Sequence, residues 1–215
     1  MLQISMVLVR SLPVLLAAAL LSACASTLYP PPLTDQPTPV YVLDHGRHNS
    51  LVLVVDDDRV MRYVFGEWRW YVDGETGLLR SIDALFRPTP SALGRIRLLG
   101  PPDPDCWVDQ VRSVIFSALA FNADRERVRD LADSIDAHFA APDAQPHFSR
   151  FLNLEFVMGP HPYSLRFNSN HQVVAWLETL GFEVRGSPAL GLLRPNKAQR
   201  AYRVADAEVS PTVAN

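Results

Sequence analysis

Three residue types that acyl transfer needs occur where a fold could bring them together. "HGRHNSLVL" carries His48 just ahead of an apolar run, "FGEWRWY" carries Glu67 just after one, and "FNSNHQVVAWLETLG" places Ser169 at the start of an amphipathic segment. A hydroxyl nucleophile, an imidazole base and a carboxylate that orients the imidazole are the parts of a hydrolytic triad. Two of them can be tied together by strand register. With a turn centred between Asp57 and Asp58, Val52 faces Tyr63, Ser50 faces Phe65 and His48 faces Glu67. Opposed side chains in such a hairpin have Cβ atoms about 4.5 to 5.5 Å apart. A carboxylate there would fix the tautomer of the imidazole and favour its charged form. A one-residue change in the turn undoes the pairing, and Tyr63 is the substitute third member. Ser169 precedes a helix, whose free N–H groups and dipole stabilise developing negative charge. Serine in that place also suits a helix cap contributing about 1 kcal/mol, and the sequence leaves both roles open.

Other constellations compete. "CWVDQV" puts the Cys106 thiol at a helix start before a tryptophan, but this needs a histidine on a following strand, and His161 in "MGPHPYS" is flanked by prolines and reads as a loop. "HGRH" offers His45 and His48 to a metal, with His161 and His171 as distant partners. There is no His-Glu-x-x-His and no carboxylate at helical ligand spacing, so neither metal nor cofactor is expected. His171 falls in the first turn of the last helix and reads as solvated. Trp68, Trp70 and Tyr71 are either core or the lining of a cleft.

The elements that must hold these residues are legible in outline. "VYVL" (40–43), "LVLVV" (51–55) and "VMRYVF" (60–65) are short β runs, with "DDD" as the turn between the last two, and they predict a small antiparallel meander. Residues 106–121 and 123–140 carry apolar residues at helical spacing, Val128, Leu131, Ile135 and Phe139 among them. A final helix is predicted from about Asn170 to Leu180, with Val173, Leu177 and Leu180 on one face and Gly181 as its stop. Late edge strands are expected at 182–184 and 199–204. The fold class is therefore α+β, one domain spanning 40–205, with a fraying tail at 206–215.

The front of the chain reads as an export signal. The first 23 residues hold one charge, Arg10, followed by "LPVLLAAALL" and then "LSAC" ending at Cys24. That apolar run is too short to span a bilayer comfortably. Leu-Ser-Ala-Cys resembles the sequence cut by bacterial lipoprotein signal peptidases, which implies lipid on the Cys24 sulfur and on its new amine. At about 0.8 kcal/mol per buried CH₂, such chains anchor a protein at a membrane. Ala25 after the lipidated residue goes with an outer-membrane destination facing the periplasm. Residues 24–39, rich in proline, are expected to form an extended tether reaching up to ~45 Å. The remaining 192 residues carry a formal net charge of −4, and the arginines are scattered, so there is no footprint for nucleic acid. With Cys24 acylated, Cys106 is the only thiol, and no internal disulfide can form.

"VYVLDHGRHNSLVL", "FGEWRWY", "ALFRPTPSALGRI" and "YSLRFNSNHQVVAWLETLGFEV" resemble consecutive segments of an uncharacterised bacterial family, domain of unknown function 2459, associated with urease regions. The likeness covers most of the chain from Val40 to about Val184. That family in turn resembles circularly permuted NlpC/P60 hydrolases and lecithin:retinol acyltransferases, of papain-like fold. The resemblance implies a base at His48 on an early strand and a nucleophile opening a late helix between Asn168 and Asn170. The usual cysteine is absent and Ser169 stands in its place. A thiol is ~3% ionised at pH 7 and is easily activated further, whereas a serine hydroxyl needs a base and a matched oxyanion hole. Two functions follow from this. One is an altered or inactive hydrolase scaffold binding an envelope peptide or glycan through a cleft lined by Asn168, Asn170 and Trp68. The other is an active amide or ester hydrolase or acyltransferase using Ser169, His48 and Glu67. Peptidoglycan peptides and acyl groups are substrates that only the wider superfamily implies.

Overall fold

The structure is a computed structural model and describes residues 25–74 and 87–196. It is an α+β fold built on two sheets. The larger has seven strands in the order β6-β2-β3-β4-β5-β8-β7, antiparallel throughout. At its centre β2 (Pro37–Asp44), β3 (Asn49–Asp56), β4 (Arg59–Glu67) and β5 (Ser91–Leu98) run as a sequential meander. The flanks are β6 (Ser117–Asp124) on one side and β8 (Leu154–Met158) with β7 (His147–Ser149) on the other. The meander is thus wider than the three predicted runs, each of which lies inside an observed strand.

Two helices cover one face. Arg125–Ala137 forms α3, capped by Asp124, whose carboxylate accepts from the N–H groups of Glu126 and Arg127. Ser169–Thr179 forms α4, and Gly181 at φ +90° ends it where only glycine is unstrained. Val173 and Leu177 of α4 and Val128 and Leu131 of α3 pack with Leu51, Leu53, Tyr63 and Phe65 in the main core. Full burial of each such aliphatic side chain contributes roughly 1.5 to 3 kcal/mol. The opposite face carries Val52, Val54, Val60 and Leu98 under Trp107. That tryptophan belongs to a short helix, α2 (Pro104–Trp107), followed by a 3₁₀ turn, η1 (Val108–Gln110).

Three sequence expectations change. Residues 106–121 are not one helix: after η1 the chain becomes β6, which pairs residue for residue with β2 from Ser117↔Asp44 to Asp124↔Pro37. "SALAFNAD" alternates, and eight paired positions on an open sheet edge outweigh its helical propensity. Residues 25–39 are not a free tether. Ala25–Tyr29 is β1, the middle strand of a second sheet, parallel to β10 (Leu192–Pro195) and antiparallel to β9 (Glu183–Gly186). Leu28 on its inner face is fully buried in the main core with Val184 and Leu193 against it, so burial of that face offsets the ordering cost of the segment. The predicted edge strand at 182–184 is the start of β9, whereas Cys24, the signal and the strand expected at 199–204 lie outside the described residues.

Candidate functional site

The third change decides the site. β3 and β4 pair as Leu51↔Tyr63, Val52↔Arg62, Leu53↔Met61 and Val54↔Val60, then shift to Asp56↔Arg59. The irregularity at Val55 moves every pair beyond the turn by one residue from the predicted register. A one-residue slip turns a strand's side chains to the other face. Ser50 and Val52 therefore share a face with Arg62 instead of with Tyr63 and Phe65. His48, expected beside the Glu67 carboxylate, joins a cluster around a guanidinium.

That cluster is tightly bonded. His45 donates from Nδ1 to the Val114 carbonyl at 2.7 Å, which leaves Nε2 as an acceptor. Nε2 takes the Ser50 hydroxyl at 2.9 Å and Arg62 Nη2 at 3.3 Å. Arg62 Nε donates to Ser50 Oγ at 3.1 Å. The His48 ring stacks on His45 at 4.8 Å between centroids and meets the edge of Tyr71 at 6.2 Å. Tyr71 belongs to α1 (Trp68–Tyr71) and fills the space left by Gly66, where a Cβ would lie 2.0 Å from its ring. Arg62 is 2% exposed, and among the described residues no carboxylate pairs with it. Burial, then Arg62, then His48 hold His45 down at about 3; burial, then Arg62, hold His48 at about 4. Burial lowers Arg62 itself to about 10 and pushes Tyr71 well above the usual phenol range. Both imidazoles are neutral at pH 7, the opposite of the charged form that a carboxylate partner would favour.

Glu67 is otherwise engaged. Its side chain caps α1, accepting from the Trp70 N–H at 2.8 Å. Trp68 donates its backbone N–H to the Pro90 carbonyl and lines a cavity of about 580 Å³ with His138, Asp143, Gln145, His147 and Met158.

On the helix-covered face, the start of α4 is a second polar cluster. Asn168, not Ser169, is the N-cap: its side-chain oxygen accepts from the N–H of Asn170 at 3.0 Å and of His171 at 3.3 Å. His171 completes a capping box by taking the Asn168 N–H at 3.4 Å, and burial lowers its pKa. Ser169 is 3% exposed and lies by Tyr163, whose own pKa burial raises and the neighbouring Ser169 lowers. The α4 side chain that hydrogen-bonds the early strand is Asn170. Its Oδ1 accepts from Asn49 Nδ2 at 3.0 Å and its Nδ2 donates to the Arg47 carbonyl at 3.1 Å. A 3₁₀ turn, η2 (Pro188–Leu190), closes this end: the Ala189 carbonyl accepts from Asn168 Nδ2 and the Gly191 carbonyl from Asn49 Nδ2.

The front and the back of the chain thus meet, as the catalytic expectation required, through Arg47 and Asn49 on one side and Asn170 on the other. His48 and Ser169 each take different partners. Cys106 is exposed at the Leu99 end of β5, tied through Gln110, whereas the His161 carbonyl binds Ser91 at the other end. Eight strand residues separate them, roughly 25 Å, so they form no pair. No group of three His, Cys, Asp or Glu side chains suited to a metal occurs among the described residues. Ser50, Arg62, Asn49 and Tyr163 were not singled out from sequence. The signals for two of them were an arginine inside the apolar run "VMRYVF" and an asparagine opening "NSLVLVV". No family model, curated protein or solved structure matches the chain.

Proposed function

We propose that this chain is an envelope lipoprotein of permuted NlpC/P60 type that has lost hydrolytic chemistry and retains a binding role. One observation carries the reading: the first-turn α4 side chain turned toward β3 is the Asn170 carboxamide, which has no nucleophilic atom. Ser169 beside it is buried against Tyr163, and His48 is committed to the Arg62 cluster. A serine hydrolase needs the hydroxyl and the imidazole within hydrogen-bond reach. The helix opening, which would stabilise a tetrahedral oxyanion, has its first N–H groups capped by Asn168.

The ligand reading is an envelope glycan or peptide held in the Trp68 cavity. A tryptophan beside Gln145, Asp143 and two histidines suits a sugar ring or a peptide, which present both apolar faces and hydrogen-bonding edges. The anchor is lipid on Cys24 in the outer membrane, on the strength of the Leu-Ser-Ala-Cys sequence. No helix among the described residues is long and apolar enough to cross a membrane.

Two measurements test this. A fluorophosphonate probe should leave the purified protein unlabelled; labelling that disappears in Ser169→Ala would establish the serine hydrolase instead. The protein should co-sediment with purified peptidoglycan and lose this in Trp68→Ala, and undiminished sedimentation of that variant would remove the cavity from the account.

A further inference from the structure

The segment expected to be a tether has become a strand, and this fixes where a lipid on Cys24 would sit. Ala25 is already paired with Leu192, and Ser26 with Gly186. Consecutive Cα atoms are about 3.8 Å apart, so no slack separates an acylated Cys24 from this sheet. The inner face of the sheet, Leu28, Val184 and Leu193, is spent on the core. Its outer face presents a graded surface. At the Cys24 end, Leu192 beside Ala25 is 36% exposed and Leu190 in η2 is 45% exposed. Further along, Arg194 and Arg185 flank Thr27 in one row, both exposed.

We propose that the outer face of the β10-β1-β9 sheet, led by Leu190 and Leu192, lies directly against an anionic phospholipid bilayer. The proposal rests on acylation of Cys24, as read above. Acyl chains rooted one residue from Ala25 bring this face to the lipid surface whatever its own affinity. Leucines at that end enter the boundary between headgroups and acyl chains, and the Arg194 guanidinium beyond them reaches lipid phosphates, while Arg185 is paired with Glu183 on the same face. The orientation also sets which side of the α4 opening meets lipid. Leu190 lies between the two residues, Ala189 and Gly191, whose carbonyls bind Asn168 and Asn49. The loop that closes the buried asparagine cluster is then the loop that touches lipid.

The test uses the full-length, processed lipoprotein in vesicles of phosphatidylethanolamine and phosphatidylglycerol. In a Cys106→Ser background, an environment-sensitive fluorophore is attached at Leu192→Cys, or at Leu99→Cys at the far end of the large sheet. The label at 192 should be quenched several-fold more by nitroxide lipids than the label at 99, and several-fold less by iodide in the water. Equal accessibility of both labels, with an acyl mass on Cys24, overturns the docked face and leaves the anchor standing. Absence of that mass overturns the anchor and the docked face together.

Discussion

Two polar clusters lie back to back at one end of the large sheet, and they differ in kind. On the face under α4, Asn49, Asn168 and Asn170 exchange neutral hydrogen bonds with one another's amides and with the carbonyls of Arg47, Ala189 and Gly191. On the other face, Arg62, His45 and Ser50 bury a cation whose direct partners are a neutral imidazole and a hydroxyl. The first cluster ties the two ends of the fold together through neutral amides, with His171, which caps Asn168, as its titratable neighbour. The second excludes protons, because a charged imidazole would be desolvated beside a guanidinium. One strand irregularity, at Val55, decides that His48 belongs to the second group.

The largest effect that separates the clusters is acid sensitivity. His45 at about 3 and His48 at about 4 in the folded state lie below the ordinary histidine value of 6.5. Below pH 6.5 the unfolded chain binds protons that the folded chain refuses, so stability is complete above that pH and is lost as pH falls toward 4. Urea denaturation should give a protein less stable at pH 4.5 than at pH 7.5 by several kcal/mol, on the order of 4. A His45→Gln, His48→Gln pair should flatten the profile; an unchanged slope would break the distinction between the clusters.

Next in size is Asn170→Ala, which leaves the partly buried Arg47 carbonyl without this donor and removes one of two acceptors from Asn49. A loss of about 2 kcal/mol is expected, varying little between pH 7.5 and pH 5.5 because both partners of Asn170 are neutral. Dependence of that loss on pH would mean that the two faces are coupled. Arg62→Met sharpens the contrast from the other side. With the cation removed, the His45 and His48 resonances should titrate at higher pH in NMR, and the acid loss of stability should shrink. The smallest effect belongs to Glu67→Gln. As a cap of a one-turn helix it should cost under about 1 kcal/mol and leave the His48 titration unmoved. A fall in the His48 value in that variant would restore Glu67 as its partner.

Local pattern was informative where it had one reading. The three β runs at 40–43, 51–55 and 60–65, helix α3, and helix α4 with its glycine stop could all be taken from residue types. The same reasoning extended a helix through "SALAF" and laid "ASTLY" out as a tether, because the strands that each pairs with lie far off in the chain. β5 escaped notice because "SALGRIRL" mixes glycine and two arginines into its alternation, and Arg95 is kept there by Asp136 and Glu155.

The sequence by itself determined the polar inventory and the two chain segments that carry it, since caps, turns and apolar periods act within a few residues. Which of those polar groups touch was decided only by the tertiary structure. "LVLVV" is apolar at every position and buried on both faces, so nothing in its pattern marks which side chains point to α4 and which to Trp107. The answer came from the shift at Val55 and from packing on either face, and it exchanged a carboxylate for a guanidinium beside His48.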